Sequence, residues 1–104
     1  MPGEWWRFWR RRTLKGVRVV VWTRADCPLC DEAAAFLEAE RRKLGFQLDY
    51  VDVDADPAHR ERFGDSVPVI EVNGEVRFRG HINRVLWNRL VVALSTHKDS
   101  EDRS

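Results

Sequence analysis

The sequence predicts an α/β domain: a four-stranded mixed sheet covered by three helices, in the order β-α-β-α-β-β-α. Three observations predict it. A β-branched apolar run, Val17 to Trp22, leads through a short polar turn into an alanine-rich stretch of helical periodicity. That helix is followed by a second strand-like run, Phe46 to Val53, so the unit closes as a parallel, right-handed crossover. Farther on, Asn73-Gly74 separates two short β-like runs, the strongest short hairpin signal available, which makes the last two strands antiparallel.

Each element has its own local reasons. Gly16 precedes the first strand. The first helix is expected from Pro28 to about Leu44. Proline supplies the φ wanted at a first helical position and has no N–H to lose. Ala33, Phe36, Leu37 and Leu44 keep a helical spacing, and Glu32, Glu38, Glu40 and Arg41 to Lys43 supply a wet face. Asp31 and Glu32 in the first turn and basic residues in the last suit the helix dipole, and Gly45 suits the position just past the end. After the second strand, Asp54 or Asp56 caps a short helix with Pro57 at its first position, stopping at Gly64. Val67 to Val72 and Glu75 to Phe78 are the hairpin strands. Asn83 caps a last helix, Arg84 to about Leu94, with Val85, Leu86, Leu90, Val91 and Leu94 expected inward. Residues 95–104 are polar and charged and are expected to form a disordered tail.

Composition narrows the function less than the pattern does. The chain has 104 residues, one domain's worth, and 43% of them are hydrophobic, enough for a small core. Lys plus Arg number 18 against 17 Asp plus Glu, so the overall charge points to no partner class and argues against nucleic acid. The charge is uneven. Residues 1–16 carry Arg7, Arg10, Arg11, Arg12 and Lys15 against Glu4 alone, a net +4, which leaves about −3 for the rest. In that arm Trp5, Phe8 and Trp9 share one side of a helix with Trp6 beside them. The arm reads either as an interfacial anchor on an anionic membrane or as a segment that packs on the domain or a partner copy. No apolar run reaches the roughly 20 residues of a membrane span, and the N-terminus lacks the apolar core of a signal peptide. The expectation is a cytoplasmic protein, a monomer or weak dimer, whose domain runs from 17 to 94.

The chemistry sits at Cys27-Pro28-Leu29-Cys30, which holds both cysteines of the chain. In a reducing compartment a spaced pair favours redox or metal chemistry over a structural staple. Three residues apart at a helix start, the two sulfurs can meet on nearly one face. Helix N–H groups would stabilise a Cys27 thiolate. Arg24 would add positive charge, and Asp26 would oppose it. Cys27 at the loop end is the expected attacking thiol, and Cys30, a turn deeper, the resolving one. A Cys-x-x-Cys is also half of a metal site, but zinc usually needs four protein ligands, and His59, His81 and His97 lack partner spacing. The metal set is therefore expected to be none. An iron–sulfur cluster shared between two copies remains an alternative, as does a non-catalytic binding or adaptor module that uses the N-terminal arm.

The pair after a β-strand, in this element order, resembles the glutaredoxin branch of the thioredoxin fold. Cys-Pro-Leu-Cys-Asp-Glu-Ala is similar to a subgroup of small glutaredoxin-like proteins whose site reads Cys-x-Leu-Cys-Asp/Glu-x-Ala. Ser66-Val67-Pro68-Val69 resembles the family's Thr/Ser-Val-Pro segment. The resemblance implies a cis Pro68 facing the cysteines and a Val67 backbone that pairs with the substrate. It implies thiol–disulfide exchange on protein disulfides or glutathione mixed disulfides, with no cofactor beyond glutathione as reductant. Arg24 falls where glutaredoxins often carry a lysine for the glutathione carboxylate; its other reading is a solvated loop arginine. The family's Gly-Gly-x-Asp segment corresponds to Arg79-Gly80-His81-Ile82-Asn83, of which Gly80 is kept. Asn83, with the helix N-terminus, and a protonated His81 would then meet a carboxylate. Trp22 reads as packing near the cysteines more than as a substrate platform.

Overall fold

A computed structural model describes the backbone of residues 13–103 and the side chains of residues 13–95. Segment 1–12, with the anchor and contact roles expected of it, lies outside the described residues. The elements are β1 (Arg18–Thr23), α1 (Pro28–Leu44), β2 (Gln47–Asp52), a 3-10 turn (Val53–Ala55), α2 (Pro57–Phe63), β3 (Val69–Val72), β4 (Glu75–Arg79) and α3 (Arg84–Arg103). The four strands form one sheet in the order β2-β1-β3-β4. β1 runs parallel to β2 and antiparallel to β3, and β3 is antiparallel to β4.

The central place of β1 explains its β-branched composition. Val19 and Val21 are fully buried and carry one face of the sheet into the main core. Ala33 and Leu37 of α1 and Trp87 and Val91 of α3 meet them there, with Ile70, Val72 and Phe78. Val69, next to Ile70, points to the opposite face. It forms a smaller cluster with Val53 and Phe63, flanked by Trp22, Val67 and Val76, under α2. At the hairpin, Asn73 (φ 51°) and Gly74 (φ 85°) both take the left-handed conformation of a type I′ turn. Asn73 also accepts from the Arg18 N–H and donates its own N–H to the Arg18 carbonyl, which ties the turn to the start of β1.

The caps of α1 fall where the sequence puts them. Its N-cap is Cys27 and its C-cap is Gly45 at φ 84°, whose N–H donates to the Arg41 carbonyl. Asp56 caps α2 by accepting from the Ala58 N–H, and Asn83 accepts from the Leu86 N–H at the start of α3.

Two expectations for α3 are corrected. Val85 and Leu86 do not point inward; they are 61% and 50% exposed. Trp87 takes the core position instead, 1% exposed, with its Nε1–H donating to Glu40 at 2.7 Å. That anchor sets the rotation of the helix, so the inward stripe is Trp87, Leu90, Val91 and Leu94. The backbone also stays helical past Leu94, the expected end of the helix, as far as Arg103. No Gly or Pro interrupts it, and Ser95 is buried with its hydroxyl donating to the Val91 carbonyl. At the other end, Thr13 and Leu14 belong to the domain and not to the arm, because Leu14 is buried in the main core.

Candidate active site

The first strand delivers the two cysteines. After Thr23 the chain turns through Asp26, whose positive φ of 56° is one that aspartate tolerates better than most residues. Cys27 then caps α1 with its own sulfur, which accepts from the Cys30 N–H at 3.1 Å. Cys27 and Cys30 are joined as a disulfide, with their Cα atoms 5.2 Å apart. Their exposure differs. Cys30 is 3% exposed, whereas Cys27 is half-buried and reachable from solvent.

Strand register brings the third expected residue to the same end of the sheet. Trp22 pairs with Val69, which sets Thr23 beside Pro68. The Val67–Pro68 peptide bond is cis. The Pro68 carbonyl accepts from the Gly80 N–H at 2.8 Å, locking the loop before α3 against the proline segment. A cleft of about 210 Å³ opens between that loop and α1. Leu29 of the cysteine motif, Glu32 and Phe36 line one wall; Gly80, His81 and Arg84 line the other. The Arg84 guanidinium lies 5.1 Å from the centre of the Phe36 ring.

The site residues named from sequence therefore divide. Val67 and Pro68 lie just before β3, at the end of the sheet where β1 leads to Cys27 and Cys30, and Gly80 and His81 border the cleft beside Leu29. Asn83 spends its side-chain oxygen on capping α3. Arg24 turns to other partners. It donates from Nε and Nη2 to Asp54 and from Nη1 to the Gly64 carbonyl. Its hydrogen bonds hold the Asp54 carboxyl below the usual carboxylate range, and Asp54 in turn raises the guanidinium. Arg24 thus ties the loop before the cysteines to α2. Trp22 is a packing residue. Its ring lies 4.8 Å from Phe63 and edge-on to His59, and its Nε1–H donates to Glu71. Sequence reasoning missed Glu32, Phe36 and Arg84; the one available signal was a cation directly after the helix cap Asn83. Among the described residues no group of three or more His, Cys, Asp or Glu side chains is placed to hold a metal ion.

A profile of the family described as "Glutaredoxin-like domain (DUF836)" matches residues 18–91. The chain belongs to that glutaredoxin-like family. The matched span runs from the first residue of β1 into α3 and includes both cysteines and Pro68. Among curated relatives, "Uncharacterized protein Mb0520" of Mycobacterium bovis is 36% identical over 62 residues, covering 55% of this chain and 64% of that protein. "Uncharacterized protein Rv0508" of Mycobacterium tuberculosis matches to the same extent. The glutaredoxin-like chain thus spans 64% of the length of these relatives. Among solved structures, Ne2328 from Nitrosomonas europaea superposes with a TM-score of 0.65 at 21% identity, covering 75% of this chain and 94% of that one. A mutant thioredoxin from Halobacterium salinarum gives 0.56 at 19% identity, covering 76% and 74%. These likenesses show the thioredoxin fold. The glutaredoxin-like protein is a thioredoxin-fold domain carrying a disulfide-forming Cys-x-x-Cys pair.

Proposed function

We propose that the protein is a thiol–disulfide oxidoreductase of glutaredoxin-like type. The observation that carries this reading is the Cys27–Cys30 disulfide at the N-terminus of α1, with Cys27 half-buried and Cys30 buried. In the reduced protein the Cys27 thiolate attacks one sulfur of a substrate disulfide and expels the other as a thiolate. Cys30, deprotonated, attacks Cys27 and releases the second substrate sulfur. Two electrons pass to the substrate, the Cys27–Cys30 disulfide forms, and two equivalents of a thiol such as glutathione restore the dithiol. The Cys30 N–H in the first turn of α1 donates to the Cys27 sulfur and would favour its charged form.

Protein disulfides and glutathione mixed disulfides are the substrate classes. Val67 offers its backbone to the incoming chain as one strand pairs another, and Pro68 fixes that segment beside Cys27. Glutathione, as reductant, would set a carboxylate at the cleft of Gly80 and His81, near the start of α3 capped by Asn83. Arg24 serves by holding the loop through Asp54. The chemistry requires a reducing compartment such as the cytoplasm. No metal, nucleic acid or cofactor beyond glutathione enters it.

The test is reduction of a glutathionylated peptide, with glutathione and glutathione reductase supplying electrons. Turnover is expected, is abolished in Cys27→Ser, and in Cys30→Ser leaves a mixed disulfide visible by mass. A Cys27→Ser protein as fast as the parent would overturn the roles. A disulfide that forms readily without glutathione turnover would assign the dithiol to another reductant.

A further inference from the structure

We propose that Arg62 and Arg79 select the substrate, favouring disulfide polypeptides with acidic side chains next to the reacting cysteine. This rests on the oxidoreductase reading and specifies which disulfides it serves. Arg62 lies on α2 and Arg79 ends β4, and both are exposed. Their guanidinium carbons stand 4.6 and 5.7 Å from the centre of one ring, Phe63. Phe63 is 2% exposed and packs in the cluster that includes Val67. Arg79 pairs in register with Val69, and its neighbour Gly80 bonds the Pro68 carbonyl. The two cations are therefore fixed beside Val67 to Val69, the segment along which the substrate chain would lie.

Neither makes an ion pair among the described residues. Arg24 and Arg60 both pair with Asp54. Glu71 accepts from Trp22. Arg62 and Arg79 have ring contacts and no ion pair. Two arginines whose stems are held on a buried ring lose little freedom on meeting a carboxylate, and they attract it through space before contact. A substrate pairing with Val67 brings side chains flanking its cysteine past them, so carboxylates there would speed capture.

The experiment uses the Cys30→Ser protein and two peptides that differ only in Glu or Gln flanking a single cysteine. Each cysteine is activated as a mixed disulfide with thionitrobenzoate. Cys27 forms a bond to the peptide sulfur, the peptide–thionitrobenzoate bond breaks, and the coloured thiolate leaves with the electron pair. This step needs one reactive thiolate and no glutathione. The Glu peptide is expected to react about fivefold faster at low salt, with the advantage shrinking as salt screens it. Arg62→Gln with Arg79→Gln should bring the two peptides to one rate. Arg62→Lys with Arg79→Lys should keep the preference, as should Arg77→Gln with Arg89→Gln, which remove equal charge elsewhere. Equal rates in the starting protein, or a preference that survives in the Arg62/Arg79 glutamine variant, would overturn the proposal. A preference that depends on these arginines, in a protein that turns over no disulfide with glutathione, would uphold the selectivity and defeat the glutaredoxin-type reading.

Discussion

Tyr50, the single tyrosine of the chain, donates its hydroxyl to Glu38 at 2.8 Å. Burial, then the hydrogen bond and charge of Glu38, pushes the phenol up to about 12. Glu38 is held below the usual carboxylate range, first by Tyr50 and then by Arg41. Because the folded-state value lies above the ordinary value of about 10, the stability this group contributes is complete below that pH and is lost as pH climbs towards 12. Ultraviolet titration of the phenolate should give a midpoint near 12, and Glu38→Gln should move it down. A midpoint near 10 in the unaltered protein would refute the coupling. The pair also shows where sequence stops being informative. Glu38 reads correctly as a helix residue on the wet face, but its partner lies across the crossover, and no periodicity links the two. Arg24 is the same case: the arginine was legible as a loop cation near the cysteines, while Asp54, thirty positions on, was not legible as its partner. Cys27 and Cys30 were legible because their geometry depends on three positions of one helix start.

Elements bounded by local chemistry were read well, and those bounded by packing were not. Both ends of α1 follow from Pro28 and Gly45. The rotation of α3 depends on Trp87 finding Glu40 and the space under the sheet, which is tertiary information. Its backbone stays helical to Arg103, although the sequence turns polar from Ser95. Gly45 supplies the element's own test. An added Cβ would meet Lys15 Cγ at 3.6 Å, ordinary contact, so the left-handed φ of 84° alone sets the cost of Gly45→Ala. Urea unfolding should show a loss of about 1–2 kcal/mol with an unchanged m-value. No shift in the midpoint would mean that the helix end rearranges freely.

For the whole molecule, the mixed sheet and its order of elements were legible because crossover and hairpin rules leave few topologies. The domain's N-terminal edge was not. Leu14 is 1% exposed, and its N–H donates to the Leu44 carbonyl at 2.7 Å, closing the main core below α1. A single leucine ahead of Gly16 carries no periodicity to mark it as core. Leu14→Ala should cost about 2–5 kcal/mol in chemical denaturation. A loss under about 1 kcal/mol would return this residue to the arm.

The strand order β2-β1-β3-β4 also has a consequence for synthesis. β1 and the cysteines emerge from the ribosome well before β3, the strand that pairs with β1 and follows Pro68. At about 5–20 residues per second, the nascent chain carries both thiols for about 2–8 s before the strand beside β1 is made. During that interval the dithiol is an ordinary pair of cysteines on an unfinished sheet, open to any oxidant it meets.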